Sequence, residues 1–180
     1  MLSVKENQTV KTIRNAYLQL LSEKNKEKVT VTELCRLAHI NRVTFYNYYT
    51  DQYDLLQDIE NNLLNEVRKI VFENKDDADK MVRKFCQEFY KNKNLQTLLA
   101  GENEDSSLTE KIYESFTEGF TNNFFSGRKE ENLQYQFIIY GCRGIFTNWI
   151  RYGFKESPEQ MAGNLNVIRR EMSKKRASGF

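Results

Sequence analysis

The side chains with the clearest chemistry lie between Thr30 and Leu56, in the stretch TVTELCRLAHINRVTFYNYYTDQYDLL. Arg42, Thr44, Tyr46, Asn47 and Tyr48 offer guanidinium, hydroxyl, phenol and amide groups in close succession, with no acid among them. Such a set makes hydrogen bonds rather than covalent chemistry. On one face of a helix it suits the base edges of a DNA major groove, where Arg42 would favour guanine and Asn47 adenine. The competing reading is the solvated face of an ordinary bundle helix. Cys35 and His39 stand four residues apart and could form a two-ligand metal site or a thiol–imidazole dyad. Two ligands rarely hold a structural metal, and a turn separates the pair, so a core cysteine and a turn histidine are expected instead. Cys35, Cys86 and Cys142 all sit among apolar neighbours, where a thiol is normally inert. The chain has one histidine, no clustered metal ligands, no glycine-rich phosphate loop and no nucleophile motif. An enzyme is therefore the poorest class, and no cofactor or metal is expected.

The elements that must position these groups are helices. Thr30 and Glu33 have the spacing of a capping box, and Leu34, Leu37 and Ala38 follow as one apolar face. Ala38, His39 and Ile40 make a turn. Asn41 is a good N-cap for a helix over 42–49. Two turns are too short to be stable alone, so Phe45 and Tyr49 must point inward and leave the polar set outside. Ahead of this pair, Thr9 caps a helix to about Lys24, with Val10, Ile13, Ala16, Tyr17, Leu20 and Leu21 on one side. Behind it, Thr50 or Asp51 opens a helix reaching about Asn74, lined by Leu55, Leu56, Ile59, Leu63, Val67 and Ile70. At 1.5 Å per residue it spans roughly 34 Å, enough to link an N-terminal unit to the C-terminal half of the chain.

Residues 9 to 64 resemble the tetracycline-repressor (TetR/AcrR) family of transcriptional regulators. The resemblance rests on Leu34-Cys35, Ala38-His39-Ile40-Asn41, Thr44-Phe45-Tyr46-Asn47-Tyr48-Tyr49 and Gln52-Tyr53-Asp54-Leu55, in order and at family spacing. It implies groove contacts from Arg42, Val43, Thr44, Tyr46 and Asn47, and phosphate contacts from Thr30, Thr32, Tyr48 and Gln52. Two residues depart from the family pattern. His39 stands at the usual turn glycine, so the turn must tolerate a side chain. Gln52 stands at the usual phosphate-contacting lysine. A neutral amide can bond a phosphate but adds no charge, so nonspecific affinity is expected to be weaker than the family's norm.

Composition agrees with an all-α chain. Of 180 residues, 39% are hydrophobic and 13% aromatic, enough for a packed core, while eight glycines and one proline supply little punctuation. Net charge is only +2, and bulk charge alone does not argue for nucleic acid. Residues 1–49, however, carry eight Lys/Arg against four Glu, a net of +4. Three scattered cysteines suggest a reducing cytoplasm. No apolar signal core or membrane-length stretch is evident.

In the second half, helices are expected over about 78–91, 107–125, 130–154 and 158–172, with an apolar piece at 95–100, a loop at 101–107 and a disordered tail from 173. Ser107 with Glu110, and Ser157-Pro158-Glu159-Gln160, read as helix starts. Gly141, Gly144 and Trp149, followed by Gly-Phe-x-x-Ser-Pro-Glu-Gln-Met-Ala, look like the regulatory half of some members of the same family. The resemblance implies an effector pocket, with Phe85, Phe89, Phe116, Phe120, Tyr140 and Trp149 as its candidate lining. Tyr90, Tyr113, Arg143 and Asn148 are candidate polar groups. The first reading of these aromatics is simply a core, and aromatic walls with few polar groups suit a small, largely apolar ligand. Gly141 and Gly144 would allow close helix approach, and the family implies a homodimer through the last two helices.

The expectation is therefore an all-α cytoplasmic regulator. Residues 1–50 form a helix-turn-helix DNA-binding domain, and residues 51–180 sense and dimerise through a link helix over about 52–74. Repression at a palindromic operator, relieved by a small effector, is the implied mechanism. The rival is a protein of this fold that binds a protein partner or ligand without reading DNA.

Overall fold

The computed structural model describes residues 8–91, 107–124 and 133–174. Among these the chain is all-helical. The helices are α1 (Gln8–Glu23), α2 (Val31–Leu37), α3 (Arg42–Tyr46), α4 (Gln52–Glu73), α5 (Ala78–Lys91), α6 (Ser107–Phe124), α7 (Leu133–Arg151) and α8 (Pro158–Lys174), with one 3-10 turn at Lys26–Lys28. The apolar piece at 95–100, the loop at 101–106 and the end of the tail lie outside the described residues. So does the Ser107 side chain, on which the expected Ser107–Glu110 cap depends.

Local signals set most of the helix starts. Thr30 Oγ1 accepts from the Glu33 N–H at 3.3 Å, and Glu33 Oε2 accepts from the Thr30 N–H at 3.2 Å, completing the capping box of α2. Asn41 Oδ1 accepts from the Thr44 N–H at 2.7 Å and starts α3. Asp51, rather than Thr50, caps α4: its Oδ1 accepts from the N–H groups of Tyr53 and Asp54, both at 2.8 Å. Ser157 and Gln160 exchange reciprocal bonds of 2.9 and 3.2 Å ahead of Pro158 at the first position of α8. Each such cap stabilises its helix by about 1 kcal/mol.

Two helices are shorter than their periodicity suggests. α3 ends at Tyr46 rather than Tyr49, and its last turn tightens, with the Tyr48 N–H reaching back only three residues to the Phe45 carbonyl at 3.0 Å. α7 ends at Arg151 rather than near Phe154. The chain leaves it through Gly153 (φ +76°) and Phe154 (φ +55°), whose N–H donates to the Trp149 carbonyl at 2.8 Å. Phe154 is buried in this exit with its ring edge-on to Trp149 at 4.6 Å. The apolar character that suggested more helix therefore reflects a packed terminus.

One connected core runs from Ile13 and Tyr17 in α1, through Leu55 to Val71 in α4, to Phe146 and Trp149 in α7 and Leu165 in α8. α4 packs on both α5 and α6, and α5 lies along α8. At Gly119 of α6, a Cβ would penetrate the Val71 side chain of α4, so glycine sets how closely these two helices approach.

Candidate nucleic-acid interface

The candidate interface is built on a helix that cannot stand alone. Phe45 is the one buried side chain of α3 and is fully enclosed. Tyr49, just beyond the helix, is buried against it at 5.8 Å between ring centroids. With these two turned inward, Arg42, Val43, Tyr46, Asn47 and Tyr48 are exposed and Thr44 is half-buried. No acidic side chain occurs in 42–50. Arg42 Nη2 donates to the Tyr46 hydroxyl at 3.3 Å, and its guanidinium lies 5.9 Å from the centre of that ring. The two groups are thus arranged before any ligand arrives, which lowers the ordering cost of binding.

Thr30 and Thr32 are exposed at the start of α2, and a helix N-terminus favours anions. The Thr30 hydroxyl also donates to Glu33 Oε2 at 2.8 Å, so a phosphate there has to compete with the cap. Lys24 Nζ reaches Glu33 Oε1 at 2.5 Å. The lysine first and Thr30 second hold the Glu33 carboxyl down at about 2. Gln52 is half-buried as the first residue of α4. Cys35 is buried while His39 is exposed at φ +53°. Among the described residues no group of three or more His, Cys, Asp or Glu is placed to hold a metal ion.

In the other half, α5 to α8 line a partly open cavity of about 60 Å³. Phe85, Phe116 and Phe120 line it, joined by Phe146, which the sequence did not single out as lining. Phe89 and Trp149 are buried outside its lining, and Tyr140 is 65% exposed on the far face of α7. Helical period alone does not separate these positions, because all are aromatic residues on amphipathic helices. Of the polar candidates, Tyr113 and Arg143 reach the wall, whereas Tyr90 stacks on Trp149 at 6.2 Å and Asn148 is exposed. Arg143 pairs with Glu110 at 2.5 Å and lies 5.0 Å from the centre of the Tyr113 ring. The Tyr113 hydroxyl donates to the Arg143 carbonyl at 3.0 Å, and burial raises its pKa well above the ordinary phenol value. Arg169, also in the wall, pairs with Asp79. Burial pushes the Cys142 thiol up to about 11 and Cys86 to about 12, so neither is a ready nucleophile. Among the described residues no helix is long and apolar enough to cross a membrane.

A family profile described as a transcriptional regulator C-terminal region matches residues 76–170. No curated protein sequence matches significantly. Solved structures share the fold at low identity. The fatty acid degradation regulator FadR from Bacillus halodurans superposes with a TM-score of 0.65 at 17% identity, over 91% of this chain and 95% of that one. The dihydroxyacetone kinase operon activator DhaS gives 0.65 at 18%, over 92% and 96%. The repressor AlkX from a Dietzia strain, implicated in biodegradation of n-alkanes, gives 0.53 at 18%, over 91% and 97%.

Proposed function

The chain belongs to the TetR family of transcriptional regulators, and from that premise we propose that it is a cytoplasmic homodimer occupying a palindromic operator, released by a small apolar effector. The observation that carries this reading is the acid-free, exposed polar face of α3, held up by the buried Phe45 and Tyr49. In the proposed division, residues 1–50 read DNA, with groove contacts from Arg42, Val43, Thr44, Tyr46 and Asn47. Thr30, Thr32, Tyr48 and Gln52 contact phosphates, and residues 51–180 sense and dimerise.

Two further features support the reading. Leu133, Phe137 and Tyr140 are exposed along α7, and among the described residues nothing lies within 4 Å of a Cβ built at Gly141 or Gly144. This open apolar stripe fits a twofold contact with a second copy. Two recognition helices about 34 Å apart then match successive major grooves. The cavity supports the effector step. Its 60 Å³ is far below the roughly 300–1,000 Å³ of a filled ligand site, so a ligand must part the helices to enter. α6 lines the cavity with Phe116 and Phe120 and meets α4 at Gly119, so parting α6 tilts the link helix. The effector has to prefer the parted state for this to lower operator affinity.

Selection of the purified protein against a random duplex pool, at two salt concentrations, tests the proposal. Enrichment of a palindrome, with affinity falling steeply as salt rises, is expected. Binding that enriches no inverted repeat at either salt would rule out the palindromic operator.

A further inference from the structure

At the junction between the DNA-binding helices and α4, one carboxylate oxygen serves three elements. Asp58 Oδ2, in the second turn of α4, accepts from Arg14 Nε at 2.9 Å, Arg14 Nη2 at 2.8 Å and the Tyr49 hydroxyl at 2.6 Å. Arg14 belongs to α1, and Tyr49 closes the turn after α3. The Arg14 side chain is 15% exposed and that of Asp58 35%, so the cluster is partly sheltered from solvent. Charge-assisted bonds of this kind are shorter and roughly twice as strong as neutral ones.

The consequence lies in what Tyr49 holds. Its ring packs on Phe45, and its N–H donates to the Phe45 carbonyl at 3.1 Å. Phe45 is the only buried anchor of α3. A helix of five residues has no stability of its own, so these two aromatics set its attitude. The Tyr49 hydroxyl is the one polar atom in that anchor, and it is bound to α4.

We propose that Asp58 is a positioning residue through which the link helix fixes the angle of the recognition helix, acting through the Tyr49 hydroxyl, with Arg14 orienting the carboxylate. The competing account is an ion pair that only adds stability. Tyr49→Phe separates the two, because it removes the hydroxyl and leaves both the ring packing and the Arg14–Asp58 pair.

The test uses the full chain with Tyr49→Phe, Asp58→Asn and the double variant. In the free protein, amide hydrogen exchange over 42–49 is expected to quicken in each variant while α5 to α8 keep wild-type protection. On the duplex that the wild type enriches, affinity is expected to fall about tenfold, the order of one lost hydrogen bond to a charged group. Low-salt binding to an unrelated duplex should stay unchanged, and the double variant should be no worse than Asp58→Asn. Unchanged exchange over 42–49 in Tyr49→Phe would overturn the proposal. So would exchange that quickens equally in all helices, or local loosening without loss of specific affinity. If the wild type binds no duplex, the operator reading fails on its own, and the exchange arm still decides the role of Asp58.

Discussion

His39 occupies a left-handed backbone position, φ +53°, in the turn between α2 and α3, where the Ile40 N–H reaches back to the Cys35 carbonyl at 3.0 Å. Glycine adopts this conformation without strain, whereas a side chain costs roughly 1–2 kcal/mol. His39→Gly is expected to stabilise the protein by up to about 1 kcal/mol, less what glycine adds to unfolded-state entropy. His39→Val should cost about 1 kcal/mol or more, because β-branching is worst at positive φ. Denaturant unfolding of both variants checks the sign; a destabilised glycine variant would remove the strain account. On the adjoining helix, Tyr46 is exposed and bonded to Arg42. Tyr46→Ala should weaken binding to the selected duplex by roughly 10- to 100-fold, the worth of a good base contact. Its unfolding free energy should move by no more than about 0.5 kcal/mol, as for most surface changes. Wild-type affinity in that variant would exclude Tyr46 from the interface.

The cap of α2 ties a helix terminus to pH. Lys24, then Thr30, hold Glu33 at about 2 against an ordinary 4.5. A depressed carboxyl pKa stabilises the fold fully above its unfolded value, and that contribution fades as pH falls from about 4.5 towards about 2. Unfolding of wild type and Glu33→Gln at pH 6 and pH 3 should therefore show a stability gap that narrows in acid. A gap independent of pH would assign the cap's effect to shape alone. Between elements, Gly119 sets the approach of α6 to α4. Gly119→Ala must displace Val71 or the helix, and overpacking of this kind costs about 1–3 kcal/mol. A lowered unfolding temperature with helical content unchanged is the expected result.

As a whole, the molecule leaves an apolar stripe on α7 and carries its positive charge toward its N-terminal part, with a net of +4 over residues 1–49 against +2 for the chain. Phe137→Glu places a charge in the middle of that stripe. Burying an unpaired charge in an interface is unfavourable, so the proposed dimer predicts that sedimentation shows a dimer for the wild type and a monomer for this variant. Operator affinity should fall with it by about 10²- to 10⁴-fold, because the second half-site no longer binds as an intramolecular event. A variant that remains dimeric would move the interface off Phe137.

Sequence alone determined the features that depend on residues within a turn of one another. The caps at Thr30–Glu33, Asn41 and Ser157–Gln160 form because donor and acceptor lie three residues apart. Phe45 and Tyr49 both turn inward as their spacing of four suggests, although α3 ends at Tyr46 and only the Tyr49 N–H bond to the Phe45 carbonyl at 3.1 Å carries the helical pattern that far. Tertiary structure decided what period and residue type leave degenerate. Phe85, Phe116 and Phe120 face a cavity, Phe89 and Trp149 fill the core beside it, and Tyr140 faces outward. All six are aromatic residues on helices, and only the positions of neighbouring helices tell them apart. The Arg14–Asp58–Tyr49 cluster joins residues 44 and 9 positions apart. Its members meet only because α1, α3 and α4 pack around one core, and no local pattern encodes that meeting.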